Sequence, residues 1–82
     1  MKTEDKHKVK AWLLSRYKSR CCYCDAELTY EKATIDHYLP KFHGGTNKRD
    51  NLRLSCHPCN ALKANMTPWE WILYREKENR NG

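Results

Sequence analysis

The chain has 82 residues, of which 39% are hydrophobic, with one Phe, three Trp and five Tyr; a chain of this length buries roughly 64% of its unfolded surface, which excludes a deep small-molecule pocket and calls for a staple beyond apolar burial. Sixteen Lys and Arg against ten Asp and Glu give +6, so the expected partner is a polyanion, nucleic acid first, with a merely solvated basic surface as the alternative. No segment reaches the roughly 18 apolar residues of a membrane span, and the Lys- and Glu-rich N-terminus lacks the apolar stretch of a signal peptide, so the expected location is cytoplasmic.

Residues 5–18 carry Val9, Trp12, Leu13 and Tyr17 at i, i+3, i+4 and i+8, with Lys6, Lys8, Lys10, Arg16 and Lys18 over the remainder. This pattern predicts an amphipathic helix, with Trp12 as a packing residue. Ala33 to Leu39, rich in β-branched and aromatic residues and stopped by Pro40, predicts a strand. Lys41 to Asp50 reads as a loop and Asn51 to Ser55 as a returning strand, together a wide hairpin. Within the loop, Gly44-Gly45 allows positive φ or the close approach of a phosphate or the other strand, and a plain turn serves equally well. Pro58 suits the first turn of a helix opened by Cys59 and Asn60 and running to Asn65. Thr67-Pro68-Trp69-Glu70 is a capping box for a last helix over about 68–78, with Trp69, Ile72 and Leu73 as its stripe and a frayed end from Asn79 to Gly82. Residues 1–82 read as one domain.

Five cysteines without a secretory signal favour metal ligation over disulfides. Cys21-x2-Cys24 and Cys56-x2-Cys59 form two knuckles that can close a tetrahedral Zn2+ site. Four sulfurs leave no position for water, so this zinc holds the fold and any catalytic metal is a second ion. Four thiolates on one Zn2+ would lower the formal charge from +6 to about +4. Cys22 is left over as a small packing or exposed residue.

Cys21-x2-Cys24, Asp36-His37, Pro40, Gly44-Gly45, Asn51-Leu52, Cys56-x2-Cys59-Asn60 and Lys63, in this order and spacing, resemble the HNH nucleases over residues 21–65. The resemblance implies a small α+β fold: a treble-clef-like ββα-metal core with a structural zinc, to which the N- and C-terminal helices are flanking additions. It also implies that His37 is the general base, that Asp36 helps hold the catalytic ion, and that Asn51 ties the loop together and helps orient the histidine. Asn60 stands where the family often has histidine, an H-N-N variant.

The residue chemistry agrees, because phosphodiester hydrolysis needs a base for water and a cation for the phosphate charge. Imidazole is a proton acceptor near neutral pH. Asp36 and Asn60 offer hard oxygens suited to Mg2+ or Mn2+. Adjacent strand residues point to opposite faces, so a twist or bulge is expected where Asp36 and His37 share one site. Lys41, Lys63 and Arg53 are the expected contacts to DNA, mainly to backbone phosphates. His7, His43 and His57 read as structural or solvent-exposed. The expected function is a metal-dependent DNA endonuclease; the alternatives are a catalytically silent zinc-knuckle binding module and an accessory subunit of a larger DNA-processing complex.

Overall fold

The computed structural model describes residues 2–81, with side chains through Glu78. Its elements are α1 (Thr3–Arg16), β1 (Ala33–His37), β2 (Leu52–Cys56), α2 (His57–Lys63) and α3 (Pro68–Asn81), with short 3-10 turns at Lys41–His43 and Arg49–Asn51 in the loop between the strands. This is a small α+β fold with a ββα core, as the sequence predicts.

Helix α1 starts two residues earlier than expected, and Glu4 and Asp5 in its first turn complement the helix dipole. It ends at Arg16 because Lys18 and Ser19 take positive φ of 55° and 57°, which turns the chain toward the first cysteine pair. The strands pair antiparallel with Ala33 opposite Cys56, Ile35 opposite Leu54 and His37 opposite Leu52. Directly opposed residues share a face. On that face Ala33, Leu52, Leu54 and Cys56 join Val9 and Leu13 of α1, with Cys21 and Leu28, in the hydrophobic core. The helix stripe is therefore confirmed, with Trp12 and Tyr17 half-buried at its margin.

The other face is polar. Thr34 donates to the Ser55 carbonyl at 2.8 Å, and α2 packs across this side through Lys63, whose side chain is fully buried against Asp36. Helix α2 begins at His57, earlier than the expected Cys59, because the Cys56 sulfur caps it by accepting the Cys59 N–H at 3.4 Å.

The capping box of α3 forms as expected: Thr67 N–H donates to Glu70 Oε1 at 3.0 Å and Glu70 N–H returns to Thr67 Oγ1 at 3.3 Å. Its expected stripe is corrected. Trp69 is 70% exposed, with Ile72 and Leu73 also on the surface, whereas Trp71 is 2% exposed. Trp71 packs edge-on against Tyr23 of the first knuckle at 5.3 Å between ring centroids, and the Arg75 guanidinium donates to the Tyr23 carbonyl. The helix continues to Asn81; the expected fraying of the 79–82 end concerns side chains and a last residue outside the described ones.

Candidate metal and catalytic site

The four sulfurs of Cys21, Cys24, Cys56 and Cys59 lie within 4.8 Å of one another. Cys24 and Cys56 Sγ are 3.6 Å apart, close to the edge of about 3.8 Å that a tetrahedron with 2.3 Å Zn–S bonds requires. Each knuckle turns a backbone N–H onto its first sulfur, Tyr23 onto Cys21 and Cys59 onto Cys56, both at 3.4 Å. The donor set and its spacing fit one zinc ion. Burial works to raise the Cys21 thiol, but hydrogen bonds from the backbone of Cys24, Cys56 and Tyr23 outweigh it and bring it down to about 7. Burial raises Cys56 and Cys59, and a bound cation would displace those protons. Cys22 lies outside the cluster. Burial, followed by the charges of Cys21 and Asp36, pushes its thiol up to about 12, so it is an inert packing residue.

Asp36 and His37 end β1, and the pairing runs regularly through His37 opposite Leu52. No bulge among the described residues turns the two side chains onto one face. Asp36, 4% exposed, points to the α2 side. There its Oδ2 accepts the Tyr23 hydroxyl, and its Oδ1 lies 3.4 Å from Lys63 Nζ. Burial, then the hydrogen bond to Asp36 and its charge, raise the Tyr23 phenol beyond the ordinary tyrosine range, so it remains a donor to the carboxylate. Lys63 also donates to the His37 carbonyl at 2.9 Å.

This arrangement corrects the reading of Lys63 as a phosphate contact. It does lie on the face of α2 that carries Asn60, one turn away, but that face looks inward, and a side chain with no exposed surface cannot meet a phosphate. Asn60 itself is half-buried at the middle of α2. Asp36 and Asn60 thus come from the strand and helix that pack together on the polar side, and both offer oxygen.

His37 faces the other way. Its Nε2 is 2.8 Å from Asn47 Oδ1 in the loop. Asn51 ties that loop as expected: Oδ1 accepts the Leu39 N–H at 2.8 Å, and Nδ2 donates to the carbonyls of Leu39 at 3.1 Å and Thr46 at 2.9 Å. The expected bond from Asn51 to the histidine is replaced by this Asn47 contact, so Asn51 positions the backbone after His37 rather than the ring. Gly45 completes the tie as a close approach: a Cβ there would sit 1.7 Å from the Leu39 carbonyl oxygen. Gly44, at φ +89°, closes the 3-10 turn.

Lys41 is exposed on the wall of a groove of about 610 Å³ that also receives His37, Asn47 and His57. Arg53 lies elsewhere, donating to the carbonyls of Asp50 at 2.8 Å and Leu52 at 3.1 Å, with its guanidinium over the Tyr38 ring. His43 bonds the Asn65 carbonyl at 2.9 Å, a structural role. Tyr23 and Asn47, the partners of Asp36 and His37, carry no signal in the cysteine or HNH spacing.

The sequence model of the HNH endonuclease family matches residues 21–71. With that match over more than half its length, the chain belongs to the HNH endonuclease family. It is similar to the CRISPR-associated endonuclease Cas9 of Corynebacterium diphtheriae, at 39% identity over 57 residues that make up 68% of this chain and 5% of that protein. Among solved structures it resembles the Type II-C Cas9 enzyme of Actinomyces naeslundii, with a TM-score of 0.75 and 29% identity over 82% of this chain and 8% of that one. The chain therefore spans a small fraction of both relatives. Among the described residues no helix is long and apolar enough to cross a membrane.

Proposed function

We propose that the chain hydrolyses phosphodiester bonds of DNA, with His37 as general base, Asp36 and Asn60 as donors for a hard divalent ion, Mg2+ or Mn2+, and a structural zinc on the four cysteines. The observation that carries this reading is the placement of the His37 ring against Asn47 at the wall of an open groove. The ring Nε2 lies 2.8 Å from Asn47 Oδ1; an amide oxygen accepts, so in the neutral ring this contact favours the hydrogen on Nε2 and offers Nδ1 to water. The ring lines an open groove that water and a phosphate can enter.

Nδ1 takes a proton from the attacking water as its oxygen bonds to phosphorus, and the 3′ oxygen leaves, so the product carries a 5′ phosphate. When bound, a hard divalent ion would supply positive charge for the phosphate and the departing oxygen. The oxygen donors of Asp36 and Asn60 fit such an ion in kind, and Asp36 would exchange its contact with the Lys63 ammonium for it. Because Asp36 and His37 leave opposite faces of β1, the scissile phosphate would lie across the end of that strand, with the ion approaching from the α2 side and the imidazole from the groove. Zinc closed by four sulfurs offers no coordination position to substrate. A cytoplasmic location fits this role.

Plasmid cleavage by zinc-loaded protein with Mg2+ or Mn2+ tests the reading. His37→Ala should be slower by about 10²- to 10⁴-fold, the range for losing a general base; equal rates would remove His37 from the mechanism. A second reading, an accessory domain that acts inside a larger DNA-processing complex, is favoured by the exposed Trp69, Ile72 and Leu73 along α3.

A further inference from the structure

We infer that the groove between α1 and β1 seats a DNA strand, with Lys6, Lys10 and Lys41 holding backbone phosphates around His37. The inference rests on the proposed endonuclease reading and adds to it a binding face supplied by α1, a helix that precedes the residues matched by the family.

The groove, about 610 Å³, has α1 as one wall, contributing Lys6, His7 and Lys10, and β1 with the Lys41 turn as the other. His37 opens into it beside Asn47, and His57 adds a second imidazole. Glu31 is the one carboxylate on its walls among the described residues. Lys6 and Lys10 stand one helical turn apart, about 5–6 Å between their Cβ atoms. This matches the run of about two phosphates on a strand whose charges recur every 3.4 Å or so of axis. Lys10 is held in place: its ammonium lies 4.4 Å from the centroid of the Tyr30 ring. Tyr30 is in turn stacked against His7, with ring centroids 5.7 Å apart. That contact keeps the charge while fixing its position.

The other basic surface is less suited. Its cations are Arg16, Arg49 and Arg53, beside Asp50. Arg49 lies over Trp12, and Arg53 over Tyr38 with its Nη1 bonded to two carbonyls of its own hairpin. The Arg53 guanidinium is already hydrogen-bonded within the fold, and this surface lies away from His37, whereas the ammonium of Lys6 is exposed in the groove that holds the base.

The test is the salt dependence of binding of the zinc-loaded full chain to a fluorescein-labelled DNA oligonucleotide, read by anisotropy without added Mg2+ or Mn2+. Lys6→Gln/Lys10→Gln should weaken binding about tenfold and make the slope of log K against log[salt] shallower by about 1.4 to 1.8, two phosphates at 0.7 to 0.9 each. Lys18→Gln/Lys32→Gln removes the same charge from a different surface and should leave the slope nearly unchanged. Equal losses from both pairs, or no loss from the first, would overturn the inference, since net charge rather than the groove would then govern binding. Lys6→Gln alone, at an exposed position, gives half the slope change and serves if the double variant does not fold. Cleavage assayed in parallel separates the two ideas. A parent that binds through Lys6 and Lys10 yet never cuts contradicts the nuclease reading and leaves the groove standing. Variants that bind and cut as the parent does contradict the groove alone.

Discussion

Truncating Lys63 should unfold much of the margin of this small domain, and the reason is where its ammonium ends. The side chain has no exposed surface, Asp36 is 4% exposed, and the pair is 3.4 Å apart; Nζ also supplies the His37 carbonyl with a donor at 2.9 Å. Lys63→Ala leaves a buried carboxylate with only the Tyr23 hydroxyl and removes the donor to that carbonyl. Breaking a buried pair from one side costs about 3–5 kcal/mol, whereas a solvated lysine costs less than about 0.5 kcal/mol. For a domain of this size each kcal/mol lowers Tm by roughly 4–8 °C, so the two cases differ by more than about 10 °C. Urea and thermal unfolding of the zinc-saturated protein, followed by circular dichroism, read the difference. Repeating them at low and high salt adds a second criterion, since buried pairs are screened far less than surface ones. Lys63→Met combined with Asp36→Asn, which removes both charges, should recover much of the loss. A loss below about 1 kcal/mol for Lys63→Ala, or one that vanishes in high salt, would refute the inward-facing lysine.

The cysteine cluster predicts one zinc per chain, unchanged by Cys22→Ser and lost together with the fold on chelation; a folded, reduced protein without zinc by elemental analysis would contradict it. Asn47→Asp places a carboxylate on His37 Nε2–H, which favours the protonated ring, so the acid limb of the cleavage pH profile should move to higher pH. An unmoved limb would mean that Asn47 does not position the base. At α3, the bonds from Thr67 hold the Glu70 carboxyl below its ordinary value. The stability it lends is fully present above about pH 4.3, the unfolded glutamate value, and is lost as the pH falls through the lower folded one. Glu70→Gln should flatten that dependence in acid unfolding curves, and Thr67→Ala should cost about 1 kcal/mol of stability.

Features set by local spacing can be read from the sequence. The two C-x2-C knuckles meet, the Thr67–Glu70 box closes, and Val9 and Leu13 reach the core, because each depends on residues within one or two turns or on a ligand geometry that sulfur imposes. Choices between equivalent faces were not legible. Trp69, Ile72 and Leu73 have the same i, i+3, i+4 spacing as Trp71, Tyr74 and Arg75, and what selects the second set is Tyr23 in the distant first knuckle. Lys63 follows the same logic: its place one turn from Asn60 can be read from helical spacing, but whether that face meets solvent or Asp36 depends on how α2 crosses the hairpin. The partner of His37 escaped because Asn47 sits in a polar loop where any of several residues could have reached the ring.

A metal titration of plasmid cleavage separates proton transfer by His37 from ion binding by Asn60. Asn60→Ala should regain part of its activity as Mg2+ or Mn2+ is raised, whereas His37→Ala should stay about 10²- to 10⁴-fold slower at every concentration, with zinc content at one per chain in both. His37→Ala cutting at the parent's rate across the titration, or a parent that never cuts, would contradict this division of roles.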